Sequence, residues 1–417
     1  MDVISEINLV NTLWIILSTL LVLIMVIPGM ALFYAGMVRR KNTLSVVIQV
    51  TTAFVVGVVL WFVYGYSLVF TEFNSLIGGF SRFGLSGMIN LADNTLMLTD
   101  DIPELNFMLF QAMFAGLACA LIVGALVERI KLGSLLIFIA IWFTLSYLPI
   151  AHMVWYSSEL NPGWLFERGA LDFAGGTVVH INAGVAAIVG AFLIGKRKGF
   201  GRDNLKPHNL VMTYIGVAFM WLGWFGFNAG SALGISFSML VAFANTLIAG
   251  VVGIVTWAII EKMMHGKVSL LGLCSGLIAG LVGITPAAAF VGLWGAFAIS
   301  LLTTVGCYFI VEIIKHRYRI DDSLDVFGIH GVGGIFGAFL TGIFCFNFLG
   351  GTELGNFKDL IWQLWIQLEG AILTMIWSAL VSVFGIKVAC YIFKETRVNH
   401  EQELTGLDIS LHAESLH

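Results

Sequence analysis

The chain has 417 residues, 59% hydrophobic and 11% charged, with a formal net charge of −4. Soluble domains run at roughly 45–50% apolar and about 25% charged, so a water-soluble fold is excluded, and no polar stretch is long enough to form a second, soluble domain. No basic patch points to nucleic acid, and the five cysteines, all within apolar runs and without metal-ligand spacing, read as small packing residues rather than disulfides or a zinc site.

The amino-terminal MDVISEINLVNTLW carries two acids and no basic stretch, and the apolar run behind it continues to about Tyr34. That length fits a membrane span rather than a cleaved signal peptide. A hydrocarbon core about 30 Å thick takes roughly 20 residues of helix. Dividing the chain at its charge clusters and its Gly, Pro and Asn breaks gives eleven spans, at 9–35, 43–70, 106–127, 133–152, 174–195, 208–230, 234–260, 268–285, 289–314, 327–349 and 360–393. The fold class is therefore an all-α polytopic membrane protein, with a membrane domain over 1–393 and a short tail over 394–417. Eighteen of the 21 Lys and Arg residues then share one side, with only Arg82, Arg168 and Lys358 opposite. The positive-inside rule puts that side, and the carboxyl terminus, in the cytoplasm and the amino terminus outside.

The longest outer loop, 71–105, holds Glu72, Asp93, Asp100, Asp101 and Glu104 against one Arg. It reads either as a solvated acidic loop or as a weak concentrator of cations near a pore mouth. Trp14, Tyr34, Trp61, Trp155, Tyr156 and Trp164 sit near span ends and read as interfacial belt residues. His152, at the outer end of the fourth span, reads as a structural interfacial residue; His208, His265, His316, His400, His412 and His417 fall in loops or tail and read as solvated.

Ionisable groups inside a bilayer cost about 2.5 kcal/mol or more unless they face a partner or a cavity. Two glycine-rich stretches each pair an Asp near a span start with a deeper His: Asp172 with His180, and Asp325 with His330. These histidines occupy the fifth and tenth spans, matching places in two five-span halves. An odd number of spans per half makes the repeat inverted, five plus five with an extra eleventh helix, and sets the two histidines at the repeat interface. Neutral imidazoles in a dry pore can share one hydrogen bond and still offer a nitrogen to a passing solute. A purely structural pair and a bis-imidazole haem site are the other readings.

Toward the outer face, Phe110 and Phe114 stand one helical turn apart beside Gln111, and the sixth span ends in Trp224, Phe225, Phe227 and Ser231, with Trp155 after the fourth. Ring faces attract a partly desolvated cation by about 2 kcal/mol, and a Ser oxygen or Gln carbonyl can accept an N–H. With 33 Phe in the chain, ordinary core or lipid-facing aromatics are an equally natural reading. Asp172, at a helix start, reads as a cap rather than a direct contact, although its charge would favour a cation nearby.

Together, PGMALFYAGMVRRKN, FQAMFAG, ALIVGALVERI, PIAHMVW, DFAGGTVVHINAGVAAIVGAFLIGKR, GWFGFNAGSAL, DVFGIHGVGG and the tail GLDISLHAE resemble the ammonium transporter (Amt/MEP/Rh) family, closest to its microbial Amt branch, over essentially the whole chain. The resemblance implies a multi-pass protein of the plasma or inner membrane that carries ammonium, with methylammonium as an analogue, and needs no cofactor. It implies an outer ammonium site of Phe114, Trp155 and Ser231 with Phe110 beside it and Gln111 close by, a gate of Phe114 on Phe227, a pore lined by His180 and His330, and Asp172 and Trp224 in support. It further implies a homotrimer in the lipid bilayer and a cytoplasmic PII-type regulatory partner. The tail reads either as a flexible terminus or, by the resemblance, as a regulatory segment docked on cytoplasmic loops. The segment 156–170 is longer and less glycine-rich than the family pattern, which bears on the shape of the outer vestibule. The alternative of a membrane ammonium sensor signalling through the tail needs more cytoplasmic chain than 394–417 offers.

Overall fold

The computed structural model describes residues 7–203 and 205–416. Both acids of the amino-terminal stretch and His417 lie outside the described residues. Among those residues, eleven helices are long and apolar enough to cross a membrane: α1 (Leu9–Met37), α2 (Arg40–Phe70), α3 (Glu104–Leu126), α4 (Leu132–Trp155), α5 (Gly176–Ile194), α6 (Leu210–Gly230), α7 (Phe237–His265), α8 (Leu270–Ala287), α9 (Leu293–Arg317), α10 (Phe327–Phe344) and α11 (Phe357–Phe393). Many begin at a side-chain cap: Asn8, Asn209, Ser236 and Ser269 each accept a backbone N–H of the first turn, and Asn356 forms a capping box with Asp359.

The largest departures from the expected boundaries, five residues each, are at the ends of α7 and α10. Helix α7 runs on to His265 because Glu261 is used rather than solvated, its carboxylate accepting from the Ser269 backbone and hydroxyl. Helix α10 stops at Phe344, where an apolar CFNFL run folds back and Phe346 packs with Cys345 and Leu360. Expected belt residues also move inward. Tyr34 and Trp61 are buried, their polar tips donating to the carbonyls of Leu121 and Met108. His152 is fully buried too, with its ring nitrogens on the carbonyls of Val69 and Asn74 and its ring stacked on Tyr156. Of the loop histidines, His208, His265, His316 and His412 have partners: the Val38 carbonyl, the Tyr308 hydroxyl, the Glu312 carboxylate and the Ser45 hydroxyl.

The repeat is visible where α5 and α10 begin. Asp172 accepts four backbone N–H groups, from Gly175, Gly176, Thr177 and Val178. Asp322 does the same for Val326, Phe327 and Gly328. Each acid precedes its histidine by the same interval, 172 to 180 and 322 to 330. The acid that matches Asp172 is thus Asp322 and not Asp325, which has a left-handed backbone and pairs with Lys315 instead. The packing is reciprocal: Gly184 of α5 meets the backbone of Gly331, and Gly334 of α10 meets that of Gly176 and Ile181. A side chain at either position would occupy its neighbour's backbone, so only glycine lets the two helix starts cross this closely.

On the basic face, Glu128 accepts from Arg39, Asn42 and Arg197, while Asp321 takes a forked pair of bonds from Arg197. The tail is docked on this knot. Val398 donates to the Arg129 carbonyl, Arg397 pairs with Glu403, and Lys41 donates to the Leu404 carbonyl. Two short helices follow, α12 (His400–Thr405) and α13 (Leu407–His412), and Asp408 accepts the Ser45 N–H at the start of α2. Burial alone would push the Glu128 and Asp321 carboxyls up, but Arg197 foremost, helped by Arg39 and Arg129, holds both below the usual carboxylate range. A depressed carboxyl stabilises above its unfolded pKa, and the gain is lost only as pH falls through the lowered folded value. Amide exchange in 396–408 should therefore be equally slow at pH 8 and pH 5 once corrected for intrinsic rates; loosening already complete at pH 5 would show that these ion pairs do not hold the tail.

Candidate functional site

The starts of α5 and α10 cross in the apolar core and bring His180 and His330 together, Nδ1 to Nδ1 at 3.2 Å with rings 5.2 Å apart and nearly parallel. The sequence placed them in matching spans; the structure places them in contact. His180 is fully buried and His330 is 4% exposed. The Nε2 of His180 has no partner among the described residues. In a neutral pair one Nδ1 must donate and the other accept, so the remaining Nε2 atoms are one acceptor and one donor. Direct contact of the two nitrogens leaves no room for an iron and its macrocycle between them, which removes the haem reading.

Trp224 lies flat on His180, with centroids 5.6 Å apart at 13°, and its Nε1–H donates to the Thr285 hydroxyl. The indole therefore fixes one face of the imidazole, and Thr285 fixes the indole. Thr285 escaped sequence reasoning because an isolated Thr in an apolar run has no signature beyond ordinary back-bonding to its own helix, which it also makes, to the Leu281 carbonyl.

Above the histidines the aromatic residues form a continuous column. Phe227 is 6.0 Å from His180 and stacks on Phe114 at 4.2 Å and 16°. Phe114 meets Phe110 edge-on at 5.0 Å and Trp155 edge-on at 6.1 Å. Trp155 is held by a bond from Nε1 to the Asp172 carbonyl, so the residue that caps α5 also seats this indole. Asp172 itself acts as the cap expected of it; its carboxylate oxygens are spent on the four N–H groups of the helix start. Ser231 donates to the Phe227 carbonyl, which leaves its oxygen lone pairs free to accept. Gln111 is half-buried beside Phe110 in sequence and makes no side-chain hydrogen bond among the described residues.

Two elements on the face opposite the basic one frame this column. The segment after Trp155 folds over the 71–82 loop, with Tyr156, Ser158 and Asn161 all donating to Glu72 and a single helical turn at Trp164–Glu167. The loop acids are largely engaged: Glu104 pairs with Arg82, Asp101 accepts from Asn8 and Asn11, and Asp93 accepts from Asn90. These bonds favour a structural role for the loop over a diffuse cation trap. No cluster of three or more metal-ligating side chains occurs among the described residues.

Comparison with known proteins gives a consistent picture. Residues 13–416 match the family model described as Ammonium Transporter Family. The chain is 40% identical over 406 residues to the ammonium transporter of Bacillus subtilis (strain 168), covering 97% of each. In three dimensions it is similar to the crystal structure of Saccharomyces cerevisiae Mep2, with a TM-score of 0.85 and 34% identity over 100% of this chain and 96% of that one. It is likewise similar to a structure described as Sensor Amt Protein, with a TM-score of 0.87 and 28% identity over 97% and 98%.

Proposed function

This chain belongs to the Ammonium Transporter Family, and from that premise we propose that it recruits ammonium at its outer aromatic site, deprotonates it, and conducts ammonia past the twin histidines into the cell. It is a multi-pass membrane protein and a transporter rather than an enzyme. The observation that carries the mechanistic reading is the contact of His180 with His330 directly beneath a closed Phe114–Phe227 stack.

Phe110, Phe114 and Trp155 offer ring faces to a cation, Ser231 offers oxygen lone pairs, and Gln111 stands close by as a further acceptor. The site lacks a free carboxylate, because Asp172 is consumed in capping, and a cation is therefore held weakly enough to leave. Ammonium and potassium are similar in size, so the discriminating steps are those potassium lacks: donating hydrogen bonds and losing a proton. Rings 4.2 Å apart admit nothing between them, so Phe114 and Phe227 must part for each passage, which is a gate. Below it, ammonia meets one Nε2 acceptor and one Nε2–H donor in succession. The proton either stays outside or follows through the imidazoles, and net charge movement distinguishes the two.

The amino terminus is assigned to the outside and the basic face, with its docked regulatory tail, to the cytoplasm. A homotrimer and a PII-type partner on that face complete the reading. A sensor role is tested by deleting residues from Arg397 onward: a transporter whose tail is regulatory keeps a functional pore.

The direct test is uptake of labelled methylammonium into vesicles containing the purified protein. Competition by ammonium and indifference to potassium are expected, and absence of uptake by correctly folded protein refutes the proposal. In the same assay Trp155→Ala should raise KM about tenfold, in line with the ~1–2 kcal/mol that a ring face contributes to holding a cation; an unchanged KM would remove Trp155 from the site.

A further inference from the structure

On the basic face a cavity of about 540 Å³ opens at the start of α10, walled by Met37, Phe200 and Leu324 and reaching Ser323, Asp325 and Lys315. Asp325 belongs to the pore helix in the strict sense that its carbonyl accepts the Ile329 N–H, one residue before His330. Its left-handed backbone, φ 59°, takes it out of the capping role that Asp322 fills. Its carboxylate instead receives Lys315 Nζ at 2.6 Å, with 17% of the acid's side chain and 30% of the lysine's still exposed. The pair is therefore wet, and it lines the cavity at the start of the helix that carries His330.

The other charges at this cavity are differently placed. Arg197 is consumed by Asp321 and Glu128, His316 is paired with Glu312, and Arg319 and Asp203 sit at the exposed rim. Asp325 is thus the acid closest in the chain to the pore histidine on this side, and Lys315 is what neutralises it.

We propose that Lys315 is a specificity-determining residue at the inner mouth: by neutralising Asp325 it keeps that carboxylate from holding potassium or newly formed ammonium in the exit. The inference rests on the transport reading given above. Ammonia leaving the pore takes up a proton in this cavity and becomes a cation identical in charge to potassium. A bare carboxylate there would retain either ion and obstruct the next molecule, whereas a contact ion pair presents no net charge.

The test is methylammonium uptake into vesicles of uniform orientation, with either potassium or the bulky cation N-methylglucamine at equal ionic strength on the side of the basic face. Wild type should transport equally with either, within twofold. Lys315→Met should be slowed fivefold or more by potassium, and Lys315→Met with Asp325→Asn should lose that sensitivity. Lys315→Gln provides the same reading if the methionine variant is not produced folded. Potassium insensitivity of the single variant, or a loss of rate that is independent of potassium and not relieved by Asp325→Asn, would overturn the proposal. Because wild type is measured in the same preparation, its failure to transport would instead count against the transport reading itself.

Discussion

Replacing His180 by alanine should lower ammonium transport in reconstituted vesicles by tenfold or more at equal protein. The substitution removes one of two imidazoles in contact at 3.2 Å and leaves His330 Nδ1 without its partner in an apolar core. It also deletes the ring on which Trp224 lies and the buried Nε2 that has no partner among the described residues. A tenfold loss corresponds to about 1.4 kcal/mol, within the ~0.5–1.5 kcal/mol of one net hydrogen bond, and an orphaned buried nitrogen adds to it. Flux and selectivity over potassium that both survive intact would make the histidines structural.

The second large effect is on stability. Asp172→Ala strips four backbone N–H groups at the start of α5 of their acceptor, and each buried donor left unpaired costs roughly 1–3 kcal/mol. The same change also loosens Trp155, whose indole is bonded to the backbone of residue 172. We expect a loss of at least ~3 kcal/mol, read as a large fall in thermal midpoint in detergent, with Asp172→Asn recovering part of it because an amide oxygen still accepts. Asp322→Ala should do the same at α10, since it is the repeat partner of Asp172. Asp325→Ala should not, because its carboxylate caps nothing. Equal losses for Asp322 and Asp325 would contradict the assignment of the cap.

These cases also mark what could be read from residues alone. Eleven apolar runs are a strong signal because a membrane demands about 20 residues of helix from each, and every expected span is present. The histidine pair was legible because ionisable residues inside apolar spans need a reason, and matched positions in two halves supplied one. Phe114, Phe227 and Trp155 converge, an arrangement that the resemblance implied and that their places in the spans alone left open. The choice between Asp322 and Asp325 was not legible from proximity to the helix start. Both acids sit in DDSLD, and a left-handed turn at 325 decides between them; only the shared interval of 172 to 180 and 322 to 330 would have given it away. Burial of His152 and Tyr34 was missed for a different reason. Their partners are backbone carbonyls, which any residue carries, so composition holds no trace of them. A docked tail was implied only by the resemblance of GLDISLHAE; the contact that holds it, Asp408 on Ser45, spans nearly the whole chain, and no local pattern announces it.

The central claim is that this pathway moves ammonium nitrogen by way of a paired-histidine pore that rejects potassium. Purified wild-type protein in tight vesicles, monitored for current and luminal pH after an inward ammonium pulse, addresses it most directly. We predict a response to ammonium, either as charge movement or as luminal alkalinisation, and none to an equal pulse of potassium. Silence to ammonium in both readouts, or an equal current for potassium, would contradict the account.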